Sequence, residues 1–329
     1  MEKPTKHLPL YAASAGMVCL VLDSAAAAGS IRGAMELCLQ TLVPNLFALF
    51  VISGLLVRYL NDFSFPRLRR ILNFPKGTEC FFLVGILGGF PVGAFTIRQA
   101  VDQGKLPPET AGDLLGLCNH CGPAFIFGVL GTAFHSVRDA AFLFLIQLLS
   151  ALLVAAFWHK ADSPLPYSTN AKPADLTAVV NQAVRSMVNV CAWVIVAAVM
   201  IGFLKRWIYP FFPSPVSMTV TGMLELTNGC IEISGMSNSL MKLILCTGFI
   251  NFGGLSVLLQ IQGIMGGIGV SIRTCFLQKL TQSLISVILT ASWYFLSPWT
   301  AVIPILILIK KAVEIPKKML YTKASKGGV

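Results

Sequence analysis

Charged side chains are scarce in this chain. Asp, Glu, Lys and Arg make up 12% of its 329 residues, roughly half the share that a soluble globular surface carries. A chain of this length would ordinarily hold about two soluble domains, and the polar surface to cover them is missing. Hydrophobic residues reach 55%, which excludes a disordered chain as well. Acids are the rarest charge, with 14 Asp and Glu against 25 Lys and Arg. No basic run is interleaved with aromatics as a nucleic-acid platform requires, so no nucleic-acid partner is expected. The positive excess reads instead as charge retained beside membrane spans. The nine cysteines are odd in number and sit mostly in apolar runs, as at Cys19, Cys38, Cys191 and Cys246, unlike a disulfide framework. G-x-S-x-G, H-E-x-x-H and P-loop patterns are lacking too, so no enzyme is expected.

What remains is a polytopic membrane protein, all-α, whose first partner is the lipid bilayer. A span needs about 20 mainly apolar residues. The candidates are Leu8–Leu22, Thr41–Leu60, Ala111–Phe134, Ala140–Trp158, Ser186–Leu204, Ser239–Ile261, Phe276–Leu296 and Trp299–Ile309. Leu8–Leu22 is followed by the small-residue run Ser24–Ser30, which also fits a signal-peptide cleavage site; both readings place residue 30 outside. Residues 31–40 are amphipathic, lying at the interface or extending the next helix. Two further apolar segments are interrupted. Phe81–Ile97 is broken by Gly88-Gly89-Phe90-Pro91-Val92-Gly93, and Gly222–Asn238 by Gly229.

The halves repeat one plan: span, broken segment, span with a polar knot, clean span. This divides the chain into an N-terminal span and interfacial segment (1–40), a first repeat (41–158), a cytoplasmic linker (159–185), a second repeat (186–296), and a last span with a basic tail (297–329). If the broken segments are re-entrant hairpins, each repeat crosses three times and the two are inverted. With the N-terminus inside, segments 1–7, 58–80, 98–110, 159–185, 264–279 and 310–329 hold 20 Lys and Arg, and the outside segments hold 5. Such a bias sets orientation, and it places both termini in the cytoplasm. Lys205 and Arg206 remain an awkward outside pair. Paired interrupted segments at matching positions are the sequence pointer to a transporter's binding site, because irregular backbone at membrane depth must be buried by protein or line a cavity.

Four stretches carry a resemblance: Gly89-Phe-Pro-Val-Gly-Ala94, Cys118-Asn-His-Cys-Gly-Pro-Ala-Phe-Ile126, Gly222-Met-Leu-Glu-Leu-Thr-Asn-Gly229, and Asn251-Phe-Gly-Gly-Leu-Ser-Val257 with Gln260. In this order, over roughly residues 40 to 290, they resemble the sporulation integral membrane proteins of the YlbJ type, which carry a nucleoside-recognition gate domain. More distantly, Asn251-Phe-Gly-Gly-Leu-Ser256 is similar to the concentrative nucleoside transporters, where an Asn and a Ser of this motif bind the nucleoside. Glu225 stands where such a transporter has its second-hairpin acid. The first-hairpin Gln-Thr-Glu of those transporters is replaced here by Gly89-Phe-Pro-Val-Gly93, without an acid. The resemblance implies a plasma-membrane protein, or one in the membranes around the forespore, with other sporulation membrane proteins as partners. It implies either recognition and movement of a nucleoside or other small polar solute, or a non-transporting factor for spore envelope (cortex or coat) formation. No cofactor is implied; transport would draw on a coupling ion such as sodium or a proton.

The candidate solute-binding set is Gly89, Pro91, Asn119, Gly122, Glu225, Asn228, Asn251, Gly253, Ser256 and Gln260. Glu225 leads it, because a carboxylate at membrane depth is usually functional, whereas Glu232 reads as an outer-interface residue. Asn119 and Asn251 occupy matching knots, where they either ligate solute or cap broken helices. Ser256 is equally suited to an interhelical hydrogen bond. Cys118-Asn-His-Cys121 lacks the four ligands of a structural zinc site, so no metal is expected there.

Overall fold

Helices account for the regular structure throughout the described residues, which are 8–57, 59–60, 63–158, 175–237, 239–297, 299 and 302–313 of a computed structural model; no strand occurs among them. Helix α1 spans Leu8–Leu22. After Asp23, helix α2 (Ser24–Leu37) passes through a π-type turn at Cys38–Leu42 into α3 (Val43–Leu56). Ser24–Leu56 thus forms a 33-residue apolar rod about 50 Å long, longer than a bilayer core of about 30 Å. The amphipathic residues 31–40 therefore extend the next helix, and the small-residue run Ser24–Ser30 opens that same helix. The polar segment after residue 60 also contains a short helix, α4 (Pro66–Leu72).

Then comes a pair of helices, α5 (Glu79–Gly88) and α6 (Val92–Asp102), packed on each other. An interrupted segment follows: α7 (Pro108–Leu114), an irregular stretch through Cys118–Gly122, and α8 (Ala124–Ala133), which begins with π-type turns. Helix α9 (Val137–Trp158) is unbroken. The second half has the same order. Helix α10 (Leu176–Trp207) is 32 residues long, and the pair α11 (Ser214–Leu224) and α12 (Leu226–Ser234) follows. A second interrupted segment, α13 (Ser239–Phe252) and α14 (Gly254–Ile264), leads to α15 (Ile272–Phe295). Helix α16 (Val302–Val313) ends the described chain.

Helix α10 lies against α2, α3 and α14, while α15 lies against α13 and α9. The expected linker 159–185 falls outside the described residues up to 174, and from Leu176 it is already helix. The basic tail beyond residue 313 also lies outside them.

Among the described residues, four helices are long and apolar enough to cross a membrane: Ser24–Leu56, Val137–Trp158, Leu176–Trp207 and Ser239–Ile264. Helix α15 departs from the clean span expected at Phe276–Leu296, for a reason visible in its faces. Its buried positions are Cys275, Gln278, Lys279, Gln282, Ser286 and Thr290. Its exposed positions include Phe276, Leu277, Leu284 and Ile288. A helix that turns its polar stripe inward and its apolar side chains outward suits a lipid surrounding and not water.

A candidate solute site between two broken helices

Glycines shape the first helix pair. Gly85, Gly89 and Gly93 recur every four residues and make a flat face against the irregular stretch after α7. A Cβ on Gly85 or Gly93 would fall 1.7 or 1.8 Å from the Cys118 carbonyl oxygen, and one on Gly89 would come within 2.9 Å of Gly122 backbone. Gly89 also holds φ +80°, and Pro91 follows a cis peptide bond. Side-chain hydrogen bonds complete this junction. The Asn119 Oδ1 accepts from Ala94 N in the first turn of α6 (2.9 Å), and its Nδ2 donates to the Leu115 carbonyl (2.7 Å). On α9, Gln147 bonds both the carbonyl (2.8 Å) and the amide (3.2 Å) of Cys121.

The second junction is built in parallel. Asn251 Nδ2 donates to the Thr247 carbonyl (2.8 Å), again four residues back. Gly253 and Gly254 hold φ of +86° and +80°. A Cβ on Gly254 would meet Leu226 N and Glu225 Cα, and one on Gly253 would meet the Phe90 ring at 3.0 Å. The tip of the first pair therefore reaches the second junction.

The second pair breaks at Glu225 and not at Gly229. Glu225 is extended (φ −143°, ψ 121°) and caps α12. Its carboxylate accepts from Thr227 N (3.1 Å), Asn228 N (2.7 Å) and Asn228 Nδ2 (2.9 Å). A carboxylate at a helix N-terminus satisfies orphan amides and complements the helix dipole. Gly229 sits inside α12, where a Cβ would overlap Gly222 Cα of α11; it lets the two arms touch.

One residue outside the expected set joins both junctions. Lys279 on α15 is fully buried. Its Nζ donates to the Asn119 carbonyl (2.7 Å) and to Gln282 Oε1 (2.7 Å), and lies 5.0 Å from the centre of the Phe90 ring. Gln282 Nε2 in turn donates to Asn251 Oδ1 (2.8 Å) and approaches His120 Nδ1 (3.4 Å), while Ser150 also reaches Asn251 Oδ1 (3.3 Å). The sequence pattern sets Lys279 among the inward-facing loop charges; its burial removes it from that set. The segment 58–80, expected on the inside, likewise hides the fully buried Glu79, whose carboxylate accepts from Phe65 N, Gly77 N and Ser64 Oγ.

Between the two tips lies a cavity of about 120 Å³. Of the candidate residues, Gly89, Gly122, Glu225 and Gln260 line it, together with Thr41, Asn45, Phe90, Cys121, Leu226 and Thr227 among others. The lining is mainly apolar. Pro91, Asn119, Asn251, Gly253 and Ser256 are not among its lining residues: the two asparagines hold the junctions, Gly253 backs Phe90, and Ser256 accepts from Gln260 Nε2 (3.1 Å). Asn228 lines a second cavity of about 190 Å³ instead, with Ser30, Gly33, Val194 and Lys205. The two cations that the charge pattern sets awkwardly outside are both ion-paired, Lys205 with Glu232 and Arg206 with Asp23. Among the described residues no three His, Cys, Asp or Glu side chains converge to hold a metal ion, and His120 Nε2 is bound to the Leu117 carbonyl (2.8 Å).

No protein-family model matches the chain, and no solved structure matches it. The chain is similar to the sporulation integral membrane protein YlbJ of Bacillus subtilis (strain 168), at 22% identity over 291 residues, covering 74% of this chain and 71% of that protein. That identity supports the resemblance weakly. The relative's name and the outward-facing apolar helices agree on one point. This chain is a membrane protein.

Proposed function

We propose that this chain is a sporulation-associated membrane protein that binds a small polar solute between two re-entrant hairpins, α5/α6 and α11/α12, and moves it across the membrane. The carrying observation is the cavity bounded by both tips, where a carboxylate, Glu225, and an amide, Gln260, sit within a mainly apolar lining. In this reading the chain crosses the membrane eight times as two inverted repeats, with cytoplasmic termini. Alternating access then rocks the hairpins about a fixed site. A nucleoside is the solute class suggested by resemblance. The cavity lies below the roughly 300 Å³ of drug-sized pockets, which favours a smaller solute or a conformation in which the tips part.

A second reading is a non-transporting factor for spore envelope formation that acts through partner proteins. It is supported by the first tip, which carries no acid, and by the way Asn119 and Asn251 spend their amides within the protein.

Uptake of labelled nucleosides and smaller polar solutes into proteoliposomes tests the choice. Wild-type protein should take up at least one of them, and Glu225→Gln should lower that rate by about tenfold or more, the effect of losing one hydrogen bond to a charged group. Uptake unchanged by Glu225→Gln removes Glu225 from the site. Absence of uptake for every solute favours the envelope factor.

A further inference from the structure

The cavity between the tips has a neighbour. The larger cavity, about 190 Å³, lies between α2, α10 and the start of α12, with Lys205 among its lining residues near the end of α10. The Lys205 side chain is 49% exposed and pairs with Glu232 on α12, so this cavity ends at the protein surface. Val194 lines both cavities, and Val194 is itself buried. On the central side the wall is Glu225; on the outer side it is Asn228. These two side chains are hydrogen-bonded to each other, Asn228 Nδ2 to Glu225 Oε2 at 2.9 Å.

We infer that the outer cavity is a vestibule to the central site, and that the Glu225–Asn228 pair, backed by Val194, is the closed gate between them. This extends the solute-binding reading and rests on it for the identity of what passes. The gate is held by one side-chain bond. Glu225 keeps its two backbone donors, Thr227 N and Asn228 N, whether or not the Asn228 amide stays in place. Swinging the Asn228 side chain therefore opens the wall without undoing the cap of α12. A small polar solute entering beside Lys205 would meet the Asn228 amide first and the Glu225 carboxylate next. The same carboxylate thus serves gate and site, which gives arrival of solute a direct means of displacing Asn228.

Two cysteine reporters test this in reconstituted vesicles of full-length protein. Cys121 lines the central cavity and is buried; the other eight cysteines are replaced. Gly33 lines the vestibule, and a Cβ there meets nothing within 4 Å, so Gly33→Cys adds a second reporter without strain. The probe is a small cationic, membrane-impermeant methanethiosulfonate. From the side carrying Lys205, the thiol introduced by Gly33→Cys should react readily and Cys121 slowly. Asn228→Ala should speed Cys121 labelling from that side by about tenfold or more, the effect of one lost bond to a carboxylate on an opening equilibrium. Asn228→Asp, which sets a second carboxylate beside Glu225, should do the same if the alanine variant folds poorly. Val194→Phe, which thickens the wall, should restore protection. The inference is overturned if Cys121 labels at the same rate in all variants, or only from the opposite side. It is equally overturned if the Gly33→Cys reporter reacts with a lipophilic maleimide but not with the impermeant probe, because the outer cavity is then a lipid-facing crevice. Accessibility is read without any solute, so failed uptake and a failed gate are separate outcomes.

Discussion

At the scale of single residues, the centre of the molecule is a chain of polar contacts running from Asn119 through Lys279 and Gln282 to Asn251. It fastens one helix break to the other through α15. Each member has a partner, which is what a low-dielectric interior demands of polar groups. Lys279→Met strands Gln282 Oε1 and the Asn119 carbonyl and should destabilise the protein by about 1–3 kcal/mol. Gln282→Leu should cost a similar amount. Because the two share a bond, the double variant should fall short of the sum by about 0.5 kcal/mol or more; unfolding in detergent measures this, and strict additivity would refute the network. Asn119 also explains the first tip. The acid absent from Gly89–Gly93 has a counterpart in the Asn119 Oδ1, which accepts from the first turn of α6 as the Glu225 carboxylate does from α12. Losing that acceptor in Asn119→Ala leaves Ala94 N and the Leu115 carbonyl unpaired and should lower stability by about 1–3 kcal/mol, with Asn119→Asp recovering only part because its carboxylate cannot donate.

At the scale of elements, the breaks decide the geometry, and glycine sets the break of the first pair and the close packing of both. Gly93→Ala places a methyl on the Cys118 carbonyl, so the first pair must part from its partner stretch; loss of folded yield is expected. Gly29→Ala in α2 meets nothing within 4 Å and should raise thermal stability by about 0.5–1 kcal/mol through helix propensity alone. If both variants behave alike, close packing at Gly93 is refuted. These elements differ in how far they can be read from residue order. Gly88-Gly89-Phe90-Pro91 announces its break, since adjacent glycines followed closely by a proline are a strong helix-interrupting cluster. The tip of the second pair lies four residues before the position that residue order suggests. Gly229 is the visible breaker, yet it lies inside a helix, because a glycine that admits a neighbouring helix and one that ends a helix look the same in sequence. Glu225 ends α11 instead, by capping the helix that follows. The role of Lys279 is hidden for another reason: its position near the start of an apolar run suits a flanking charge, and only the packing of α15 against α9 and α13 turns that face inward.

At the scale of the whole molecule, the interior is a hydrophobic core threaded by buried polar groups, many large apolar side chains face outward, and α15 turns its polar stripe inward. The scarcity of charge seen in composition is the same fact seen from outside. The 20 to 5 distribution of Lys and Arg between alternate segments changes to 19 to 5 once Lys279 is moved to the interior, which leaves the proposed orientation intact. Topology is read by thiol labelling at an exposed position; the native Cys80 is buried against the Phe63 carbonyl. Arg67 is exposed, and Arg67→Cys should label from the cytoplasmic side; labelling from the opposite side alone would invert the topology. The central claim concerns the space between Phe90, Glu225 and Gln260. A density map of the protein purified from its native membrane into lipid nanodiscs tests it most directly. The account predicts an open, polar-edged cavity there, holding solute or ordered water against Glu225 and Gln260. Phe90 and Leu226 packed on each other with no space between the tips would contradict it.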